Sequence, residues 1–389
     1  MAKLLDKTGW KKIDWLLIAN IVALVLVGLI SITAATASPA TGEEATLAEK
    51  LANLNFSTVW RQFVWFLVGA VAMIGVFAID YNYLKDITPV LYWANVIILM
   101  LLFALATVTK NTVSWYKFGN IGFQPSELAK ISTILMLARM LAARSGEEKI
   151  TSFREFFHLA KYALIPFVLI AVQPDLGTAM VVACITVGMF FIVRVDKKII
   201  LISCFGAVAV VLPVAWLVMR DYQKNRILVF FGLAEDAASQ YNVNMSKMAI
   251  GNGQLTGNGL FGTGGMSQLN WVPVKESDFI FAVTGETFGF IGGMIVLILF
   301  GLLLWRTISI ALRSRDKYAM YVCVGVACMI FAHVFENIGM SMGVMPVTGI
   351  PLPFISYGGT NLVVNMAGIG LVLNVTKYKS SVDLKTKRS

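Results

Sequence analysis

Four short segments hold most of the polar chemistry of an otherwise apolar chain. The first, Gln124-Pro125-Ser126-Glu127-Leu128-Ala129-Lys130, places a carboxylate and an ammonium three residues apart. They share one face of any helix that begins at Pro125. Such a pair either satisfies itself as an ion pair or lines a polar cavity where Lys130 meets a phosphate. The second, Gln173-Pro174-Asp175-Leu176-Gly177-Thr178, offers Asp175 as a helix cap or as a substrate contact. The third, Lys275-Glu276-Ser277-Asp278-Phe279-Ile280-Phe281-Ala282, sets Asp278 where a polar stretch turns apolar. Asp278 can cap the helix that follows, and a carboxylate at the mouth of a membrane cavity is also well placed as a general base. The fourth runs from Pro346 to Thr360 and includes Ser356, whose hydroxyl is a substrate-binding candidate. Its three prolines and three glycines prevent a regular helix. Irregular backbone at membrane depth is tolerated only when buried in protein or facing a wet cavity, so this segment marks a built site.

Between the second and third segments lie Arg226, Lys247 and a glycine-dense stretch from Gly251 and Gly253 through Gly257, Gly259, Gly262, Gly264 and Gly265. No P-loop or dinucleotide pattern is present. Flexible turns therefore explain the glycines better than a phosphate cradle.

These groups need a membrane scaffold. The 389 residues are 58% hydrophobic and only 14% charged, well below the charge content of soluble domains. Apolar runs fall near Ile13–Thr33, Trp60–Ile79, Thr88–Val108, Leu128–Ala143, Tyr162–Val172, Thr178–Val193, Ile199–Val218, Phe279–Trp305, Ala319–Val344 and Phe354–Val375. Each approaches the length of a bilayer core, and the short fifth run can extend back into Phe153–His158. The first is long enough to span and needs no cleavage as a signal peptide.

With a cytoplasmic N-terminus, 22 of the 32 basic residues fall on the inner side, as the positive-inside rule expects. The net charge of +10 is then chiefly an orientation signal, with some attraction to anionic membrane lipids and no call for nucleic acid. Cys184, Cys204, Cys323 and Cys328 lie inside apolar runs, and His158 and His333 are too far apart to suggest a zinc site. The expected fold is an all-α polytopic membrane protein. It is one integral-membrane domain over residues 1–389 with about ten transmembrane helices, both termini cytoplasmic and a large extracellular loop over residues 220–277.

In their order along the chain, the four segments resemble those of the SEDS family (shape, elongation, division and sporulation). The resemblance covers essentially the full length. Asn337-Ile338-Gly339-Met340 followed by Gly349-Ile350-Pro351-Leu352-Pro353-Phe354 is closer to the RodA branch than to the FtsW branch. The resemblance implies a peptidoglycan glycosyltransferase of the bacterial cytoplasmic membrane. It would join lipid II units at the outer face and work with a class B penicillin-binding protein. The family's essential aspartate falls on Asp278, and its tryptophan ahead of Gln-Pro-Ser-Glu falls on Trp115. There are departures: Ser114 stands where an arginine is expected, Lys275-Glu276-Ser277 replaces the usual run before the aspartate, and Thr360 replaces serine.

The implied chemistry suits these residues. Pyrophosphate is already a good leaving group, so what remains is removal of the proton from the attacking sugar hydroxyl. One carboxylate can do that, unlike the two that glycoside hydrolysis usually needs. Lys130, Arg226 and Lys247 are the cations available to the departing pyrophosphate, with Glu127 and Asp175 as further substrate contacts. No cofactor is called for, although a divalent ion can share the neutralising task. Two alternatives use the same architecture: a flippase for the same lipid, built on a polar cavity with proline-glycine breaks, and a non-catalytic scaffold of the cell-elongation machinery.

Overall fold

A computed structural model of the chain describes residues 13–37, 54–105, 114–118, 121–144, 149–206, 221–233, 237–260 and 265–386, with isolated positions between 206 and 221. In chain order the helices are α1 (Trp15–Thr36), α2 (Phe56–Ala78), α3 (Tyr81–Leu105), α4 (Pro125–Ala142), α5 (Phe153–Val172) and α6 (Leu176–Ile192). They continue with α7 (Lys197–Gly206), α8 (Asp221–Phe230), α9 (Ala237–Asn252), α10 (Ile280–Leu312), α11 (Lys317–Ser341) and α12 (Gly359–Thr386). A hairpin of β1 (Tyr116–Phe118) and β2 (Ile121–Phe123) stands before α4.

Among the described residues seven helices are long and apolar enough to cross a membrane: α1, α2, α3, α5, α10, α11 and α12. α6 is apolar but has 17 residues, and α4 carries Glu127, Lys130 and Arg139 within its 18. The fifth run does extend back to Phe153. Much of the expected seventh span lies outside the described residues.

The last expected span needs a correction. Its helix begins at Gly359, five residues after the expected Phe354. Phe354 has a φ of 66°, a strained left-handed conformation for a bulky residue. The Ser356 hydroxyl accepts from the Leu352 amide at 2.8 Å and so holds the chain in a turn.

The lateral surface is apolar, and the largely apolar interior also holds buried polar side chains that bond across helices, as expected of packing in lipid. α11 sits at the centre with 78% of its spanning window buried, whereas peripheral α2 has 11%. α2 is fastened to α12 at both ends. Asn374 donates to the carbonyls of Val76, Phe77 and Ile79 at 2.8–3.2 Å. At the other end Gln62 donates to the Ser356 carbonyl at 2.9 Å and accepts from the Gly358 amide at 3.3 Å.

Of the glycine-dense stretch, Gly262 and Gly264 lie outside the described residues; Gly257 and Gly259 take the left-handed φ of turns, 80° and 75°, and Gly253 and Gly257 also pack against the backbone of α10. α10 is broken at Gly289, where φ is 68°, and chain from the preceding segment fills the gap. The amides of Asn258 and Gly259 donate to the carbonyls of Glu286 and Thr287, and the amides of Phe290 and Ile291 donate to those of Gln254 and Leu255. A β-carbon at Gly253 would stand 1.9 Å from the Gly285 carbonyl oxygen, whereas one at Gly251 would meet nothing within 4 Å. Gly253→Ala should therefore destabilise the protein by about 1–3 kcal/mol through overpacking. Gly251→Ala, at the exposed end of α9, should cost nothing. Thermal unfolding of the purified variants checks the contrast, and equal melting temperatures would refute the packing role.

Candidate active site

The Pro346–Thr360 segment is where the other three segments meet. Asp278 stands one residue before the N-cap position of α10, which Phe279 occupies without a side-chain cap bond. The capping alternative for Asp278 is thus not realised. The amides of Ser277, Asp278 and Phe279 all turn back onto the Val274 carbonyl, which moves the helix start past the carboxylate. Main-chain groups do the anchoring instead. The Asp278 carbonyl accepts from Asn337 Nδ2 at 2.8 Å, and the same nitrogen donates to the Ile350 carbonyl at 2.7 Å. The carboxylate accepts from the Ser277 hydroxyl at 2.8 Å. It also faces Gly349, where a β-carbon would lie 3.5 Å from Oδ2. Gly349 has a φ of 74°, which suits glycine.

Ser356 locks the two segments together. Its hydroxyl donates to the Ser277 carbonyl at 2.6 Å while accepting from Leu352. The Tyr357 amide donates to the Glu276 carbonyl at 2.8 Å. Nearby Lys275 is buried and donates to the Ser267 carbonyl. Burial pushes its ammonium below the ordinary lysine range, with Glu276 and Glu286 pulling the other way.

α4 supplies a buried ionic network that also touches the Pro346–Thr360 segment. Lys130 Nζ lies 2.8 Å from Glu127 Oε2 and 2.6 Å from His333 Nε2, and its side chain has no exposed surface. Asn361 of α12 donates to the same glutamate oxygen at 3.1 Å. With Lys130 charged, His333 must accept at Nε2 and donate from Nδ1 to the Pro351 carbonyl, 3.3 Å away. The ion pair expected from the sequence therefore forms, and a histidine couples it to the irregular segment.

Asp175 caps α6, accepting from the Thr178 amide at 3.2 Å. It also accepts from Gln124 Nε2 at 3.0 Å and Ser126 Oγ at 3.2 Å, tying α6 to the start of α4. Arg226 donates to the Val347 carbonyl at 3.0 Å. Lys247 is exposed, with its Nζ packed close over Gly343. The Trp115 ring lies against Gly122 of the hairpin, and Thr360 donates to the Gly122 carbonyl at 3.2 Å.

The structure thus brings Asp278 and Arg226 against the irregular segment, which carries Ser356 itself, and links Lys130 with Glu127 to it through His333. Asp175 joins α4 to α6, Trp115 stands just before the hairpin against Gly122, whose carbonyl Thr360 reaches, and Lys247 lies on α9 over Gly343.

Sequence reasoning missed three groups. His333 was weighed only as a zinc ligand. Glu336 is almost wholly buried, with one carboxylate oxygen lacking a hydrogen-bond partner among the described residues. The signal was His333, Glu336 and Asn337 at i, i+3 and i+4 inside an apolar helix, a spacing that puts all three on one face. The third is Glu286, buried in α10, which accepts from Asn252 and from the amides of Met266 and Ser267 at 2.6–3.1 Å. It holds the glycine-dense stretch in place.

Comparison with known proteins places the chain in a family. Residues 11–381 match the FtsW/RodA/SpoVE family model, described as cell cycle protein. The chain is 32% identical to peptidoglycan glycosyltransferase MrdB of Escherichia coli (strain K12) over 376 residues, covering 96% of each. It is 34% identical to stage V sporulation protein E of Bacillus subtilis (strain 168), covering 94% of this chain and 97% of that protein. Its fold matches a chain from a peptidoglycan synthase complex that coordinates polymerization and crosslinking, with TM-score 0.76, 27% identity and coverage of 95% and 98%. It also matches the rod shape determining protein RodA of Thermus thermophilus, with TM-score 0.68, 26% identity and the same coverage. The chain belongs to the FtsW/RodA/SpoVE family.

Proposed function

We propose that this chain is a peptidoglycan glycosyltransferase that polymerises lipid II, with Asp278 as general base. What carries the reading is the division of labour at Asp278. Its amide and carbonyl anchor the start of α10 to Val274 and Asn337, and its side chain takes no part in capping. A carboxylate spared that role, beside the glycine at 349, is a fit group for chemistry. In the reaction the acceptor sugar hydroxyl gives its proton to Asp278 as its oxygen bonds to the donor's anomeric carbon. The bond from that carbon to pyrophosphate breaks, and pyrophosphate leaves with the electron pair, so the configuration inverts. Arg226, bonded to the Val347 carbonyl, and Lys247, packed over Gly343, are the cations offered to the departing pyrophosphate. Lys130 acts from within the buried network, fixing the field behind the Pro346–Thr360 segment.

The reading includes about ten spans, both termini in the cytoplasm, an active site at the outer face and a class B penicillin-binding protein as partner. A flippase of the same architecture would need a membrane to act across. Detergent-solubilised protein supplied with lipid II, with and without the penicillin-binding protein, separates the two. Glycan formation in micelles supports the enzyme, and none under either condition refutes it. The topology predicts that a cysteine placed at exposed Gln240 of α9 reacts with an impermeant maleimide on intact cells. Labelling only after lysis would invert the orientation.

A further inference from the structure

We propose that the groove between α3 and α5 binds an anionic phospholipid, with one acyl chain along the groove and the phosphate over Arg154, His158 and Lys161. A cavity of about 470 Å³ is lined by Trp93, Val96 and Met100 of α3 and by Lys161, Leu164, Ile165, Val168 and Leu169 of α5. Every side chain of this lining is apolar except Lys161, which closes one end.

The two helices run parallel there: the rings of Tyr92 and Tyr162 lie 5.9 Å apart, and further along both chains Gln173 Nε2 donates to the Leu99 carbonyl at 2.7 Å. Trp93 and Lys161 therefore share the same end. From Lys161 to Leu169 the groove runs about 12 Å along α5, enough for a substantial part of one chain.

Beyond Lys161 the same face of α5 turns basic. Arg154, His158 and Lys161 are spaced four and three residues apart, and all three are exposed. Lys161 Nζ lies 3.5 Å from His158 Nδ1 and over the Tyr162 ring, so the stripe is gathered at the groove's mouth. The one acid in this first turn, Glu155, is held by Arg144 at 2.7 Å. No ion pair among the described residues involves Arg154, His158 or Lys161. A positive stripe at the mouth of a dry groove with a tryptophan beside it fits an anionic headgroup joined to a hydrocarbon chain, and the charge selects against a zwitterion.

The purified full-length protein would be exchanged into micelles with equal phosphatidylglycerol and phosphatidylcholine, and retained lipid counted by native mass spectrometry. Two cations near the phosphate should favour the anionic lipid roughly tenfold or more. Arg154→Gln/His158→Gln/Lys161→Gln should abolish the preference. Val168→Trp, which fills the groove, should reduce retention of both lipids. Lys198→Gln, a basic change away from the groove, should alter neither. Equal retention of the two lipids by the wild type, or unchanged selectivity in the triple variant, would overturn the proposal.

Discussion

Replacing Asp278 by asparagine is expected to lower glycan polymerisation by about 10²–10⁴-fold, the usual worth of a positioned general base. The fold should be unchanged. Asparagine is nearly isosteric, and its amide oxygen can still accept from the Ser277 hydroxyl now 2.8 Å from the carboxylate. The main-chain bonds to Val274 and Asn337 do not depend on the side chain. What the amide cannot do is take a proton from a sugar hydroxyl. Thermal unfolding and lipid II polymerisation would be compared on the same preparations. An unchanged melting profile with activity lost supports the base. Near-normal polymer would remove Asp278 from that role and return attention to Asp175 and Glu276.

Asparagine at 337 supplies a companion test of how Asp278 is held. Asn337 Nδ2 bridges the Asp278 and Ile350 carbonyls, so Asn337→Leu would strand two buried acceptors, at about 1–3 kcal/mol each. It should reduce both stability and activity, whereas Asp278→Asn should reduce activity alone. That difference distinguishes a positioning residue from the group that reacts.

How much of this was legible beforehand follows from how local each signal is. Helix-length apolar runs and proline-glycine breaks are local, so the seven apolar helices and the irregular Pro346–Thr360 segment could be read directly. Asp175 as a cap was legible because capping acts within three residues. The start of α12 was misplaced, because hydropathy does not register the turn that Ser356 holds between Leu352 and Ser277. The hairpin before α4 went unread, although Tyr116-Lys117-Phe118-Gly119-Asn120-Ile121-Gly122-Phe123 has a Gly-Asn pair between short alternating runs. The spacing of His333, Glu336 and Asn337 marks a polar face, but the partner of His333 could not be read from it, because Lys130 is 203 residues away in sequence. Contacts of that range are made by the packing of α4 against α11, and no spacing along the chain encodes them. The close fit of Gly253 and Gly257 was illegible for the same reason, since it depends on the backbone of a helix some thirty residues further on.

Lys130→Met should give the second large effect, and its compensated double variant separates structure from chemistry. Among the described residues Lys130 is the one cation in ion-pairing contact with Glu127, and both are almost wholly buried. Removing one partner of a buried pair commonly costs about 3–5 kcal/mol, because the other charge is left uncompensated. The single variant should therefore melt at a lower temperature and make little polymer. Lys198→Ala is the control: its side chain is exposed, and its contact with Asp196 in hydrogen-bond terms is through the amide at 2.8 Å, so neither property should move. In Glu127→Gln/Lys130→Met neither member of the pair is left charged without the other, and most of the stability should return. If the ammonium also biases the pyrophosphate site, polymerisation by the double variant should stay at least about tenfold below wild type even with its melting temperature restored, since one lost charge interaction of about 1.4 kcal/mol suffices for that factor. Full recovery of polymerisation together with stability would make Glu127 and Lys130 a purely structural pair and leave Arg226 and Lys247 as the cations to test against the leaving group.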